Sequence, residues 1–353
     1  MTPSATLRLQ FHHGFTFADA EALVPYFARL GISHVYASPV AVARRGSLHG
    51  YDVTDATRVN PELGGEDGLR SLVSALSKSG LGLVLDIVPN HMAADPANGW
   101  WADVLRHGRA SRHARRFDID WHGDDKVLLP ILGAPLDEVL MKGELEIEGD
   151  TLRYYSHRLP LADGTAELGL PDLLDRQHWR LAWWRSAGDR INWRRFFDIN
   201  ELVSLRMDEP EVFEAVHALP LRLHAEGIVD GLRIDHVEGL ADPAAYCRRL
   251  RTALKPGAWL VVEKILLAGE DLPADWQCDG TTGYDFMNEV SALQHDSAGE
   301  RVLANAWAAL AGRPADFAIE EVAARREILG RSFGAQLDAC AAAVLDTAEG
   351  IIA

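Results

Sequence analysis

Residues 228–236 read IVDGLRIDH, an apolar approach followed by a glycine and then a strict alternation of polar and apolar side chains. In an extended strand, residues two apart share a face, so Arg233 and Asp235 point one way while Leu232 and Ile234 point the other. A strand that keeps one face apolar and ends in charged groups on the other suits a parallel barrel or sheet, which builds its active site at the carboxyl ends of its strands. The same grammar recurs on either side. Residues 81–89 (LGLVLDIVP) run into Asn90 and His91, and residues 259–265 (WLVVEKI) carry Glu263. Further apolar runs lie at 6–10, at 32–40 (ISHVYASPV) and, more weakly, at 283–286. Helical spacing fills the gaps: 18–30 (ADAEALVPYFARL) stops at Gly31, and 69–79 stops at Gly80. Strands alternating with helices in this way are βα units, so the fold class is α/β.

One interval breaks the rhythm. Well over a hundred residues separate the third run from the fourth, far more than an ordinary βα connection needs, and an inserted subdomain is expected there. The chain accordingly divides into a first barrel part (1–91), an insert (92–227), a continuation of the barrel (228–290) and an Ala-rich helical segment (291–353). The insert contains RLAWWRSAGDRINWRRFF (180–197), dense in Trp and Arg. For Trp183, Trp184 and Trp193, packing on an amphipathic helix is at least as good an expectation as a set of sugar subsites.

Composition limits the partners. Among 353 residues, 48% are hydrophobic and 25% charged, which allows a sizeable core. The formal charge of -17 argues against nucleic acid and anionic membranes, both of which draw affinity from clustered Lys and Arg. A neutral sugar is compatible. Cys247, Cys278 and Cys340 are too few and too scattered for a disulfide framework or metal cage, and are expected to be buried thiols. The opening MTPSATLRLQFHHG is not a secretory leader and no run approaches the ~18 apolar residues of a membrane span, so a cytoplasmic location is expected.

Three polar strand ends carry the chemistry. A guanidinium beside Asp235 should keep that carboxylate ionised, as a nucleophile requires. Glu263 follows an apolar approach, which suits a general acid. Two carboxyl groups in contrasting surroundings are what glycosidic cleavage needs, about 5–5.5 Å apart if configuration is retained. Adjacent strands, roughly 4.8 Å apart, make such a separation natural. A lone RxD at a strand end is more often a structural ion pair, and it is the combination of three such ends that favours chemistry. Asp86 is expected to be structural, holding loop backbone or His91. Tyr51, in HGYDVTD (49–55), could stack on a sugar ring.

The order HGYDVTD, DIVPNH, GLRIDH, VVEKI resembles the α-amylase superfamily (glycoside hydrolase family 13). Longer stretches narrow the resemblance to its maltooligosyl trehalose synthases: LRLQFHHGFTFADA, YASPVAVARRGSLHGYDVTDATRVNPELGGEDGL, FFDINELVSLRMDEPEVFEAVH, VDGLRIDHVEGLADP and LPADWQCDGTTGYDFMNEV. These cover most of residues 4 to 290. The resemblance implies a (β/α)8 TIM-type barrel with a large insert after the third strand. It also implies an isomerase reaction, intramolecular transfer of a glucosyl unit that turns the reducing-end α-1,4 bond of a maltooligosaccharide into an α,α-1,1 bond. By motif, Asp235 would be the nucleophile and Glu263 the acid/base. Arg233, His91, His49 and His236 would bind or orient substrate over a Tyr51 platform, with Asp86, Asn90 and Asp55 in structural support. No metal or organic cofactor is implied, and the family's pathway suggests a trehalose-releasing trehalohydrolase as a neighbour.

The chain departs from that pattern in two ways. The superfamily's third carboxylate has no recognisable motif, since His295-Asp296 falls in the wrong segment, and only about six strands can be traced in a chain about half as long as these synthases. The expectation is therefore an N-terminal portion with an incomplete barrel, weakly active alone and completed by a second, C-terminal chain. Two alternatives remain open at this level: an α-amylase-like hydrolase using the same carboxylates, and an inactive carbohydrate-binding fragment.

Overall fold

The computed structural model describes residues 2–121 and 125–352. Six strands lie side by side in one parallel sheet, in chain order: β1 (Thr6–Leu9), β2 (His34–Ala37), β3 (Gly82–Ile87), β4 (Gly231–Ile234), β5 (Trp259–Val262) and β6 (Gly280–Thr281). This is an incomplete (β/α)8 barrel. Among the described residues six of the eight strands are present, and β1 and β6 form its two edges.

Parallel neighbours require crossovers, and helices supply them. Helix α1 (Phe17–Leu30) follows β1, and α2 (Gly65–Lys78) follows β2; α3 (Pro210–Ala225) precedes β4 and α4 (Pro243–Ala253) follows it. In α1 the buried Phe17, Ala20, Val24 and Phe27 fall on one stripe. Asp19 Oδ2 accepts the Thr16 N–H at 2.7 Å at the start, and Gly31, at φ 82°, closes the end in the left-handed region open to a residue without Cβ. Strands β3 and β4 are buried on both faces, as a sheet covered by helices demands.

The insert packs around Trp101, Trp179 and Trp193. It holds a three-stranded antiparallel sheet (Leu145–Glu148, Thr151–Tyr154, His157–Pro160), a parallel pair (Val127–Leu132 with Trp179–Trp183) and a second three-stranded sheet (His91–Ala93, Arg195–Phe196, Ile199–Ser204). The Trp-rich stretch is thus not an amphipathic helix. Trp179–Trp183 is a strand because it finds a parallel partner, and the Trp183 and Trp193 indoles donate to the carbonyls of Gly133 (3.1 Å) and Leu128 (2.8 Å).

Two further expectations are corrected. The last strand is Gly280–Thr281, not 283–286. Gly283, at φ 88°, turns the chain, and Tyr284 opens helix α5 (Tyr284–Ala292). Cys247 is buried, but Cys278 is half-buried and Cys340 exposed, because Cys340 lies on one of three closing helices, α6 (Glu300–Ala311), α7 (Phe317–Ser332) and α8 (Gly334–Ile352), that pack little. No described helix is long and apolar enough to cross a membrane.

Candidate active site

Register assembles the site. Arg233 on β4 stands opposite Asp86 on β3 and Val261 on β5, so its guanidinium reaches the ends of three strands. It donates from Nη1 to Asp86 Oδ1 at 2.8 Å and to Asp235 Oδ1 at 2.7 Å, while Nη2 lies 2.9 Å from Glu263 Oε1. The two bonds plus the width of one guanidinium keep Asp235 and Glu263 well inside the roughly 9.5 Å outer limit of two-carboxylate glycosidases. The two acids share one face of the sheet and one cation.

Three carboxylates around one guanidinium are unbalanced, and burial together with that imbalance sets the protonation states. Burial pushes the Asp235 carboxyl up; Arg233 pulls it down, but Asp86 and Glu263 add repulsion, leaving it at about 7. Arg233 therefore does not hold Asp235 at an ordinary carboxylate value, contrary to expectation, because burial outweighs its pull and its charge is shared three ways. Burial also raises Asp86, against Arg233 and the hydroxyls of Tyr51 (2.6 Å) and Tyr36 (2.9 Å), which donate to its Oδ2. Asp86 thus holds Arg233 and two tyrosines, where loop backbone or His91 was expected. Burial lifts both of those phenols, and the adjoining Asp86 carboxylate lifts them further.

Glu263 sits differently. Its side chain is 24% exposed, and it takes hydrogen bonds from the His236 backbone N–H (Oε2, 3.1 Å) and the Tyr284 hydroxyl (Oε1, 3.4 Å). The apolar surroundings expected of it give way to a polar wall. His236 adopts left-handed backbone (φ 44°, ψ 49°), an arrangement that costs a non-glycine residue on the order of 1 kcal/mol, and its N–H is thereby aimed at Glu263.

Asp235, Glu263, Arg233, His91, Tyr51 and His49 all border one cavity of about 460 Å³. The other sequence candidates lie around it. Asp86 is the floor beneath Arg233, Asn90 backs His91, and His236 packs edge-on to Phe196 and tilted on Phe197 without bordering the cavity. Asp55 is apart, bound to Thr57 and Arg58 in its own strand. Tyr51 is fixed at both sides: its hydroxyl donates to Asp86 and accepts from Arg8 Nη2 (2.9 Å), and the His49 ring stacks on it at 6.0 Å. Burial presses the His91 imidazole down to about 3, with His236 adding to the effect, and its Nε2 is buried without a hydrogen bond of good geometry.

The sequence reading overlooked Arg44, Asp52, Phe196 and Glu201 on the cavity wall, along with the supporting Arg8, Tyr36 and Tyr284. A signal existed for two of them. Arg8 and Tyr36 are register partners, each a polar side chain inside an apolar run, which marks an inward-facing position. Phe196 and Glu201 come from the insert, and nothing local announces their meeting with the barrel. Among the described residues no group of three or more His, Cys, Asp or Glu is placed to hold a metal ion.

Residues 21–252 match the α-amylase catalytic-domain family, a span that includes Asp235 and stops short of Glu263. A Mycobacterium tuberculosis (strain H37Rv) protein carrying the provisional name maltooligosyl trehalose synthase is 47% identical over 293 residues, 82% of this chain and 38% of its own length. Among solved structures, a single-residue variant of the maltooligosyltrehalose synthase of Arthrobacter ramosus superposes with a TM-score of 0.92 at 42% identity, covering 96% of this chain and 45% of that one. A hypothetical maltooligosyl trehalose synthase of Sulfolobus tokodaii matches with a TM-score of 0.72 at 39% identity, covering 82% of this chain and 39% of the other. The chain thus spans less than half the length of these relatives.

Proposed function

The chain belongs to the α-amylase catalytic-domain family, and from that premise we propose that it carries the reacting carboxylates of an intramolecular glucosyl transfer converting maltooligosaccharides to maltooligosyl trehalose. The observation that carries this reading is the single guanidinium of Arg233 shared by Asp86, Asp235 and Glu263 at one cavity wall. The likeness to synthases over most of this chain supports transfer over simple hydrolysis.

In the proposed cycle, Glu263 gives its proton to the glycosidic oxygen while the Asp235 carboxylate attacks the anomeric carbon; the old C–O bond breaks and a glucosyl ester forms. The freed reducing-end glucose turns and presents its anomeric hydroxyl. Glu263, now ionised, takes that hydroxyl's proton as the oxygen attacks, and Asp235 leaves as carboxylate. Arg233 moves with neither step; it holds both acids in place. Tyr51, pinned by Asp86 and Arg8, is a rigid platform under the ring, and His91, His49 and His236 orient the sugar or the loops beside it. Water must be kept from the ester, because its attack would convert transfer into hydrolysis. Since Asp235 reacts ionised, turnover falls as pH drops below about 7.

The proposal extends to two partners. A polypeptide pairing with the edges of β1 and β6 completes the barrel, and a hydrolase that releases trehalose consumes the non-reducing product. The test is product analysis on maltopentaose, with the 353-residue chain alone and mixed with a polypeptide equivalent to the unmatched part of the Arthrobacter protein. Loss of reducing ends, abolished by Asp235→Asn and Glu263→Gln, is the expected result. A rise in reducing ends makes the chain a hydrolase instead, and binding without turnover in either mixture makes it a sugar-binding module.

A further inference from the structure

The Arg- and Trp-rich segment of the insert contributes one side chain to the back of the site. Arg194 is anchored in the backbone, its N–H donating to Asp118 O (2.9 Å) and its carbonyl accepting from Ser204 N (2.8 Å). Its guanidinium then makes four bonds. Nε donates to Asp118 Oδ2 (2.7 Å), Nη1 to Gly239 O (2.8 Å) and Asn90 Oδ1 (3.1 Å), and Nη2 to Leu205 O (3.3 Å). It thus ties the loop after β3, which carries Asn90 and His91, to the loop after β4, which carries His236 and Gly239.

A guanidinium can only donate, so Asn90 must turn its carbonyl oxygen toward Arg194. The amide nitrogen then faces the other way, 3.4 Å from His91 Nδ1. That contact is long, but its polarity is fixed: an N–H₂ pointing at Nδ1 requires a lone pair there, which leaves the ring proton on Nε2. His91 Nε2 is buried without a hydrogen bond of good geometry, the Tyr51 backbone lies close enough to the ring to favour its protonation, and His91 borders the cavity. We infer that Arg194 is a positioning residue which, through the Asn90 amide, locks His91 in the Nε2–H tautomer, so that His91 meets a ligand hydroxyl as donor and never as acceptor. The tautomer rests on the Arg194–Asn90 and Asn90–His91 contacts, while its use on a sugar hydroxyl rests on the proposed function above.

The packing leaves no slack. A Cβ on Gly239 would lie 2.8 Å from Asn90 Oδ1 and 2.5 Å from the His236 ring. The neighbouring Arg195 provides the control. It is more deeply buried than Arg194, yet it bonds Asn200 Oδ1 (2.7 Å), Asp198 O (3.1 Å) and Ser332 O (2.7 Å), away from the catalytic loops.

The experiment is long-range ¹H–¹⁵N correlation of the histidine rings in the ¹⁵N-labelled 353-residue chain at pH 8, paired with calorimetric titration of maltopentaose. The parent should show His91 as Nε2–H. Arg194→Met should give a mixture of tautomers and weaken maltopentaose about tenfold, with Arg194→Lys partly restoring both; Arg195→Met should lose stability with the His91 pattern unchanged. Asn90→Asp replaces the donor facing Nδ1 with an acceptor and should move the proton to Nδ1, a readout available even if Arg194→Met does not fold. An Nδ1–H pattern in the parent, or an unchanged Nε2–H pattern in both Arg194→Met and Asn90→Asp, overturns the inference. A tautomer shift in a chain that binds no maltopentaose upholds Arg194's role and removes the sugar reading alone.

Discussion

The sheet with its insert and the helices α5–α8 both contain many apolar side chains but end in opposite conditions. In β4 and β5, Leu232, Ile234, Leu260 and Val262 are wholly buried. Just past the end of α5, Leu293 is 87% exposed, and on α6 Leu310 is 89% exposed; no described residue of either helix is buried. The two helices carry apolar side chains at workable spacing, yet beyond the Tyr284 contact with Glu263 little of them is covered. Amphipathic pattern states what a helix could bury; the facing layer decides what it does bury.

That contrast can be broken at several points. The largest effect is expected from Arg233→Met, which leaves Asp86 and Asp235 buried without their shared cation: a loss of about 3–5 kcal/mol in urea unfolding. Leu232→Ala should cost about 2–5 kcal/mol by opening a cavity behind β4. Asp235→Asn should act in the other direction. Its folded value of about 7 lies above the roughly 3.9 of an unfolded aspartate, so between those values the folded chain binds more protons, and stability falls as pH rises from about 4 to 7. The variant removes that penalty. It should be more stable than the parent at pH 8, by about 1–3 kcal/mol, with the difference vanishing below pH 4 in melts across that range. Smallest of all, Leu293→Ala and Leu310→Ala should change unfolding by no more than about 0.5 kcal/mol. A loss there equal to that of Leu232→Ala would show that the helices are covered in solution.

Legibility in the sequence follows the range of the interaction. Alternation across residues 231–235 predicted the shared face of Arg233 and Asp235, because that face is set by backbone geometry alone. Five of the six strands were traceable for the same reason. The sixth was displaced by a few residues because Gly280–Thr281 is held mainly by pairing to β5 and has almost no pattern of its own. Charge balance was not legible. That Arg233 serves three carboxylates, and so leaves Asp235 near 7, depends on Asp86 and Glu263 arriving from other strands. Arg194 is 104 residues from Asn90 in one loop it touches and 45 from Gly239 in the other, Phe196 is placed alike, and no local rule anticipates them.

The sheet is laid down in the order in which the chain is synthesised, each strand joining beside its predecessor. One step is unlike the rest: Asp86 and Arg233, hydrogen-bonded across β3 and β4, are 147 residues apart in the chain. Closing so long a loop carries an entropy that neighbouring strands do not face, so strands β1 to β3 can assemble while the insert is still emerging. The charge centre therefore closes last, and until β4 arrives Asp86 stands on the open edge of β3, still solvated, without the arginine that answers it.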